Sequence, residues 1–153
     1  MDLRHFYFSS IILLTLSCQT PNKTLELSDT FSAFVVKDIE TSINWYSTNF
    51  GFEVVNETEL ENRGIKMANL TLGNTKVELI ESNTAIDPFE DQKGIALGIF
   101  KVGYIVTSFD QWKDHLISKN AITERQVVTD PITNKRMLIV LDPDGNRIQL
   151  FEK

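Results

Sequence analysis

Apolar and polar positions alternate with two periods along this chain, and the pattern runs through twice. Residues 31–37 are short, β-rich and apolar in alternation, which predicts a strand. Asp38 is placed as a helix N-cap. Ile39, Ile43, Tyr46 and Phe50 then fall at helical spacing, with Glu40, Asn44 and Ser47 on the other side. Gly51 is expected to stop that helix. Residues 52–57 predict a second strand. Arg63-Gly64 turns the chain, residues 66–72 predict a third strand, Gly73-Asn74 a hairpin turn, and residues 76–81 a fourth strand. The predicted order is β-α-β-β-β. The acidic stretch Glu57-Thr58-Glu59-Leu60-Glu61 reads as a solvated loop.

The order then restarts. Residues 82–98 read as a loop containing Asp87-Pro88 and two glycines. Residues 102–107 predict a strand, Ser108 with Gln111 a capping box, and Phe109, Trp112 and Leu116 an amphipathic helix. Residues 124–129 predict a strand that Asp130-Pro131 breaks. Residues 136–141 predict another, Asp142-Pro143-Asp144-Gly145-Asn146 a turn, and residues 147–151 the last strand. The stretch from Phe34 to Glu40 is echoed by Tyr104 to Asp110, and Lys76 to Glu81 is echoed by Asn146 to Glu152. Such an internal repeat predicts two copies of one unit.

Strand alternation assigns faces. Phe34, Val36, Val77, Leu79, Tyr104, Val106, Ile148 and Leu150 form an apolar face, expected to pack on the helices. The other face carries Phe31, Ala33, Val35, Lys76, Glu78, Ile80, Lys101, Gly103, Ile105, Arg147, Gln149 and Phe151. It mixes polar and apolar groups, as the wall of a ligand cup does. The predicted fold is α+β: two βαβββ modules, residues 31–81 and 101–152, forming a curved mixed sheet cup within a domain of residues 30–153.

Composition narrows the function. With 153 residues, 42% hydrophobic and 24% charged, the chain can build one domain with a real core. A formal net charge of −6 argues against a nucleic-acid partner, which calls for a basic face.

The N-terminus stands apart. Phe6 to Leu16 is apolar, follows Arg4 and precedes Ser17-Cys18. It is shorter than a membrane span and suits the hydrophobic region of a secretory signal. Cys18 is the only cysteine. Its setting resembles the lipid-modified cysteine of bacterial lipoproteins, although Thr15 stands where that motif usually has Leu. The expectation is a signal over residues 1–18, lipidation at Cys18, a tether over residues 19–29, and a lipid-anchored place at the bacterial envelope. The alternative is an uncleaved apolar N-terminus on a cytoplasmic protein.

Three segments carry a family resemblance. Val36 to Tyr46, the following Phe50-Gly51-Phe52, and Asp142 to Leu150 together resemble the vicinal oxygen chelate superfamily. That superfamily includes glyoxalase I, extradiol dioxygenases, fosfomycin-resistance proteins and bleomycin-binding proteins. The resemblance implies a glyoxalase-like fold, but not one chemistry, because the fold hosts many. It also implies four metal-ligand positions, which fall here on Phe31, Glu78, Lys101 and Gln149. Only Glu78 is a good ligand for a transition metal. His115, the one histidine beyond the apolar N-terminal segment, falls on the second helix. No metal and no cofactor are therefore expected. Family geometry would bring Glu78 to Lys101 as an ion pair, with the ammonium in the place of a metal.

The main reading is a small-molecule binding module, with Phe31, Glu78, Lys101, Gln149 and Phe151 as ligand-binding residues and a homodimer as its assembly. The alternatives are a metal-independent glyoxalase-like lyase or isomerase with Glu78 as catalytic base, and a degenerate domain serving as an interaction surface. The residues leave open whether the protein is an enzyme.

Overall fold

A computed structural model describes residues 29–86 and 98–153. The apolar segment, Cys18, most of the tether, and residues 87–97 of the central loop lie outside the described residues.

The first module runs β1 (Ser32–Val36), α1 (Ile39–Phe50), β2 (Glu53–Leu60), β3 (Ile65–Leu72) and β4 (Thr75–Ser82). The second runs β5 (Val102–Val106), α2 (Phe109–Ser118), β6 (Val128–Thr129), β7 (Arg136–Leu141) and β8 (Arg147–Glu152). Each module forms a four-stranded mixed sheet, ordered β1-β4-β3-β2 and β5-β8-β7-β6. In both, the first strand pairs in parallel with the last and the rest pair antiparallel. The predicted pair of βαβββ modules is thus observed. The two sheets are not hydrogen-bonded to one another, so among the described residues β1 and β5 each keep one open edge.

Local chemistry sets the helix ends. The Asp38 carboxylate accepts the Thr41 N–H at 2.7 Å, which caps α1. Gly51 takes φ +79°, a left-handed C-cap that a residue with a Cβ adopts only under strain. The expected capping box at Ser108 does not form, since the Ser108 side chain caps nothing. A box does form at Thr123 and Gln126, around a short 3-10 turn at Glu124–Gln126. That turn occupies the first half of the stretch expected to be a strand, leaving only Val128 and Thr129 of it paired, because the box diverts the backbone from the ladder. The acidic stretch is also corrected. Glu57 to Leu60 belongs to β2, the outermost strand of its sheet, and its residues are mainly exposed. Charge on an edge strand deters pairing with another chain.

One core spans both modules. Val36, Val77 and Leu79 from one sheet, and Val106, Ile148 and Leu150 from the other, are buried with Tyr46, Phe50, Phe109 and Leu116 from the helices. Each such side chain contributes roughly 1.5–3 kcal/mol through burial. The repeat extends to ion pairs. Lys66 meets Glu81 in the first module at 3.1 Å, and Arg136 meets Glu152 in the second at 2.7 Å. The modules join through their helices and apolar faces. Phe50 packs on Tyr104 and Trp112, with ring centroids 6.2 and 5.7 Å apart. The Tyr46 hydroxyl donates to Asp142 at 3.2 Å, and His115 Nε2 donates to the Asn49 carbonyl at 3.1 Å. Among the described residues, no helix is long and apolar enough to cross a membrane.

Candidate functional site

Pleating turns every second residue of each sheet away from the helices. In the first module this outer set includes Ala33 and Val35 of β1, Lys76, Glu78 and Ile80 of β4, and Met67, Asn69 and Thr71 of β3. In the second it includes Gly103 and Ile105 of β5, Arg147, Gln149 and Phe151 of β8, and Met137, Ile139 and Leu141 of β7. These are the faces expected to wall a cup, and both stand open. Val35 is 57% exposed and Ile105 is 72% exposed.

Phe31 and Glu78 come together. Both line a pocket of about 360 Å³ on the first sheet, with Val55, Asn69, Thr71 and Lys76. Phe31 is 68% exposed and supplies one apolar wall with Val55. Glu78 sits on β4 between Ala33 and Asn69. The Asn69 amide donates to Asn56 at 2.8 Å, which orients its carbonyl. Lys76 is held by Asp29, whose carboxyl is lowered by that hydrogen bond, by the Thr30 N–H and by the lysine's charge. The pocket thus carries a carboxylate, an amide and a hydroxyl beside an apolar wall.

The second sheet holds the remaining residues. Gln149 is buried, and its Nε2 donates to the Met137 sulfur at 2.7 Å. Beside it Gly103 leaves open space where a Cβ would stand. Phe151 is half-buried between Ile105 and Met137. The Arg147 guanidinium lies 4.7 Å from the centre of the Phe100 ring. Lys101, just before β5, is exposed. Its charge helps hold the Asp130 carboxyl low, behind the hydrogen bonds from Thr133 and Ile132.

The expected Glu78–Lys101 ion pair is absent from the ion pairs of the described residues. The physical reason is the way the modules join. They meet through helices and apolar faces, and Glu78 on β4 and Lys101 before β5 belong to separate modules whose sheets are not hydrogen-bonded to one another. Asn69, Thr71 and Val55 were not singled out from sequence. The alternation of Asn69 and Thr71 with Leu70 and Leu72 along β3 was the available signal.

The family's metal does not fit these residues. Phe31 offers no donor, Lys101 is cationic, Gln149 is engaged with Met137, and only Glu78 remains. Among the described residues no three His, Cys, Asp or Glu side chains gather closely enough to hold a metal ion.

Known proteins share this architecture. Residues 30–150 match the family model of the Glyoxalase/Bleomycin resistance protein/Dioxygenase superfamily. The uncharacterised protein YwkD of Bacillus subtilis is 34% identical over 122 residues, spanning 79% of this chain and 93% of YwkD. A glyoxalase family protein from Enterococcus faecalis superposes with a TM-score of 0.68 at 24% identity, over 83% of this chain and 97% of that one. Lactoylglutathione lyase from Agrobacterium tumefaciens superposes with a TM-score of 0.58 at 19% identity, over 82% and 94%. With two βαβββ modules and a match across nearly the whole described domain, this chain belongs to the glyoxalase/bleomycin resistance/dioxygenase, or vicinal oxygen chelate, superfamily.

Proposed function

We propose that this protein binds a small organic molecule against its outer sheet faces, without the metal its relatives' ligand positions would hold. The observation that carries the reading is the pocket at Glu78, where Phe31 and Val55 form an apolar wall beside Asn69, Thr71 and Lys76. Convergent polar groups on an apolar wall are what small-molecule sites use for orientation and affinity. The exposed faces of Val35 and Ile105 support a second copy of the chain as the missing half of the cup. In that arrangement Lys101 and Gln149 of one copy face Glu78 of the other.

A metal titration and a thermal-shift ligand screen test the reading together. The expected result is no stoichiometric divalent metal, and hits whose stabilisation falls in Glu78→Gln and Phe31→Ala. A stoichiometric metal that Glu78→Ala abolishes would overturn it.

A second reading rests on Glu78 lacking an ion-pair partner among the described residues. Proton abstraction would appear as solvent deuterium entering a bound carbonyl compound, lost in Glu78→Gln.

The location is a separate part of the proposal. The apolar run Phe6 to Leu16 followed by Ser17-Cys18 supports a lipid on Cys18 and attachment at the bacterial envelope. Cys18→Ser is expected to move the protein from the membrane to the soluble fraction. Retention in the membrane fraction would sink this part.

A further inference from the structure

The two junctions between the modules are related by the repeat but are closed differently. In one, the β7–β8 turn docks on α1. The Tyr46 hydroxyl reaches Asp142, and the Lys37 N–H donates to Asp144 at 3.2 Å. Asp142 also accepts the N–H groups of Asp144 and Asn146 and the Asn146 amide. In the other, the β3–β4 turn faces α2. Register equates Leu72 with Asp142, because Leu70 pairs with Val77 as Val140 pairs with Ile148. The acid that closes the first junction is therefore a leucine in the second. The turn is also tighter. Leu72 pairs with Thr75 across Gly73-Asn74, whereas the Asp142 N–H bonds Asn146 across Pro143-Asp144-Gly145.

A pocket of about 250 Å³ lies at this second junction, lined by Phe50, Phe52, Leu72, Thr75, Tyr104, Trp112 and residues 105–107 at the end of β5. Phe50, Phe52, Tyr104 and Trp112 give it aromatic walls on one side, with Phe52 and Tyr104 centroids 6.5 Å apart. The Tyr104 hydroxyl is buried and has no hydrogen-bond partner among the described residues. β5 is also an edge strand of its sheet, so among the described residues its backbone N–H and C=O groups turned away from β8 have no ladder partner.

We propose that this pocket is a second ligand site, separate from the sheet faces, for a small planar aromatic compound bearing an amide edge. Ring faces and edges offer offset or T-shaped stacking to a flat ligand. An amide matches an open strand edge, since it donates and accepts side by side. Size sets the limit. An apolar cavity of about 150 Å³ takes up benzene, and drug-sized ligands use pockets of roughly 300 Å³ or more. The site therefore suits one ring with a short polar group.

Benzamide titrated into the full chain tests this. Trp45 and Trp112 are the only tryptophans, so a Trp45→Phe background leaves Trp112 as the reporter. Saturable quenching is expected, weakened at least about tenfold by Thr75→Phe at the pocket wall, with acetamide inert. Amide chemical shifts in the parent chain give a readout that needs no pocket variant. The expected perturbations fall on Phe50, Leu72 and residues 105–107. Absence of saturation, an unchanged affinity in a folded Thr75→Phe, or perturbations centred on Phe31 and Glu78 would each overturn the proposal. The last result would place the compound on the sheet face instead, so failure here is distinguishable from failure of the proposed function.

Discussion

Asp142 shows how much one side chain can organise. It is buried and accepts from two backbone N–H groups, one amide and the Tyr46 hydroxyl. Tyr46 is fully buried, and burial with the Asp142 charge pushes its phenol up, so it stays a donor. Tyr46→Phe removes one hydrogen bond and is expected to cost about 1 kcal/mol in urea unfolding. Asp142→Ala strands several donors at once and is expected to cost more, about 2–3 kcal/mol. Equal losses in the two variants would contradict this account. Neighbouring Asp144 carries a pH dependence. Burial first, and then the Asp142 charge, raise its carboxyl above the usual 3.8, against the opposing Lys37 N–H. The folded chain therefore keeps this proton over a window where the unfolded chain has lost it. That contribution is present below pH 3.8 and is lost as pH rises through the folded value. Asp144→Asn still accepts from Lys37 and avoids the loss. Its stability advantage over the parent should grow as pH rises from 3 to 7 in denaturant melts; a constant difference would refute the assignment.

At the scale of the element, helix ends were legible because their chemistry is local. Asp38 precedes Thr41 by three residues and Gly51 ends the apolar stripe, and both caps form as read. Ser108 has the same composition cue but no bond, so the cue alone does not make a cap. Asp38→Ala is expected to cost about 1 kcal/mol and Ser108→Ala close to nothing, as thermal or urea unfolding of the two variants would show. Strands were legible where one face is buried, as in β1, β4, β5 and β8, since alternation then has a cause. Residues 57–60 and 124–129 were misread for the converse reason. The first stretch is an exposed edge whose charges look like a loop, and the second is diverted by a capping box between Thr123 and Gln126.

For the whole molecule, the open faces are where the proposed second copy is tested. Val35 and Ile105 are exposed on separate sheets. If a second copy covers them, Val35→Asp combined with Ile105→Asp converts a dimer to a monomer in light scattering. A parent chain that is already monomeric at high concentration would remove the composite cup from the proposal.

The sequence by itself determined the repeat, the βαβββ order, the buried face of each inner strand and the poverty of metal ligands, because these follow from residue type and short-range spacing. It also brought Phe31 and Glu78 to one face through strand alternation. Only the tertiary structure decided how the modules meet. Asp142 finds Tyr46 across 96 residues, Gln149 turns to Met137, and Glu78 and Lys101 form no ion pair among those of the described residues. Those outcomes depend on which buried faces pack together and how each turn fills its junction. Packing of that kind is a property of the assembled core, and no single stretch of the chain encodes it.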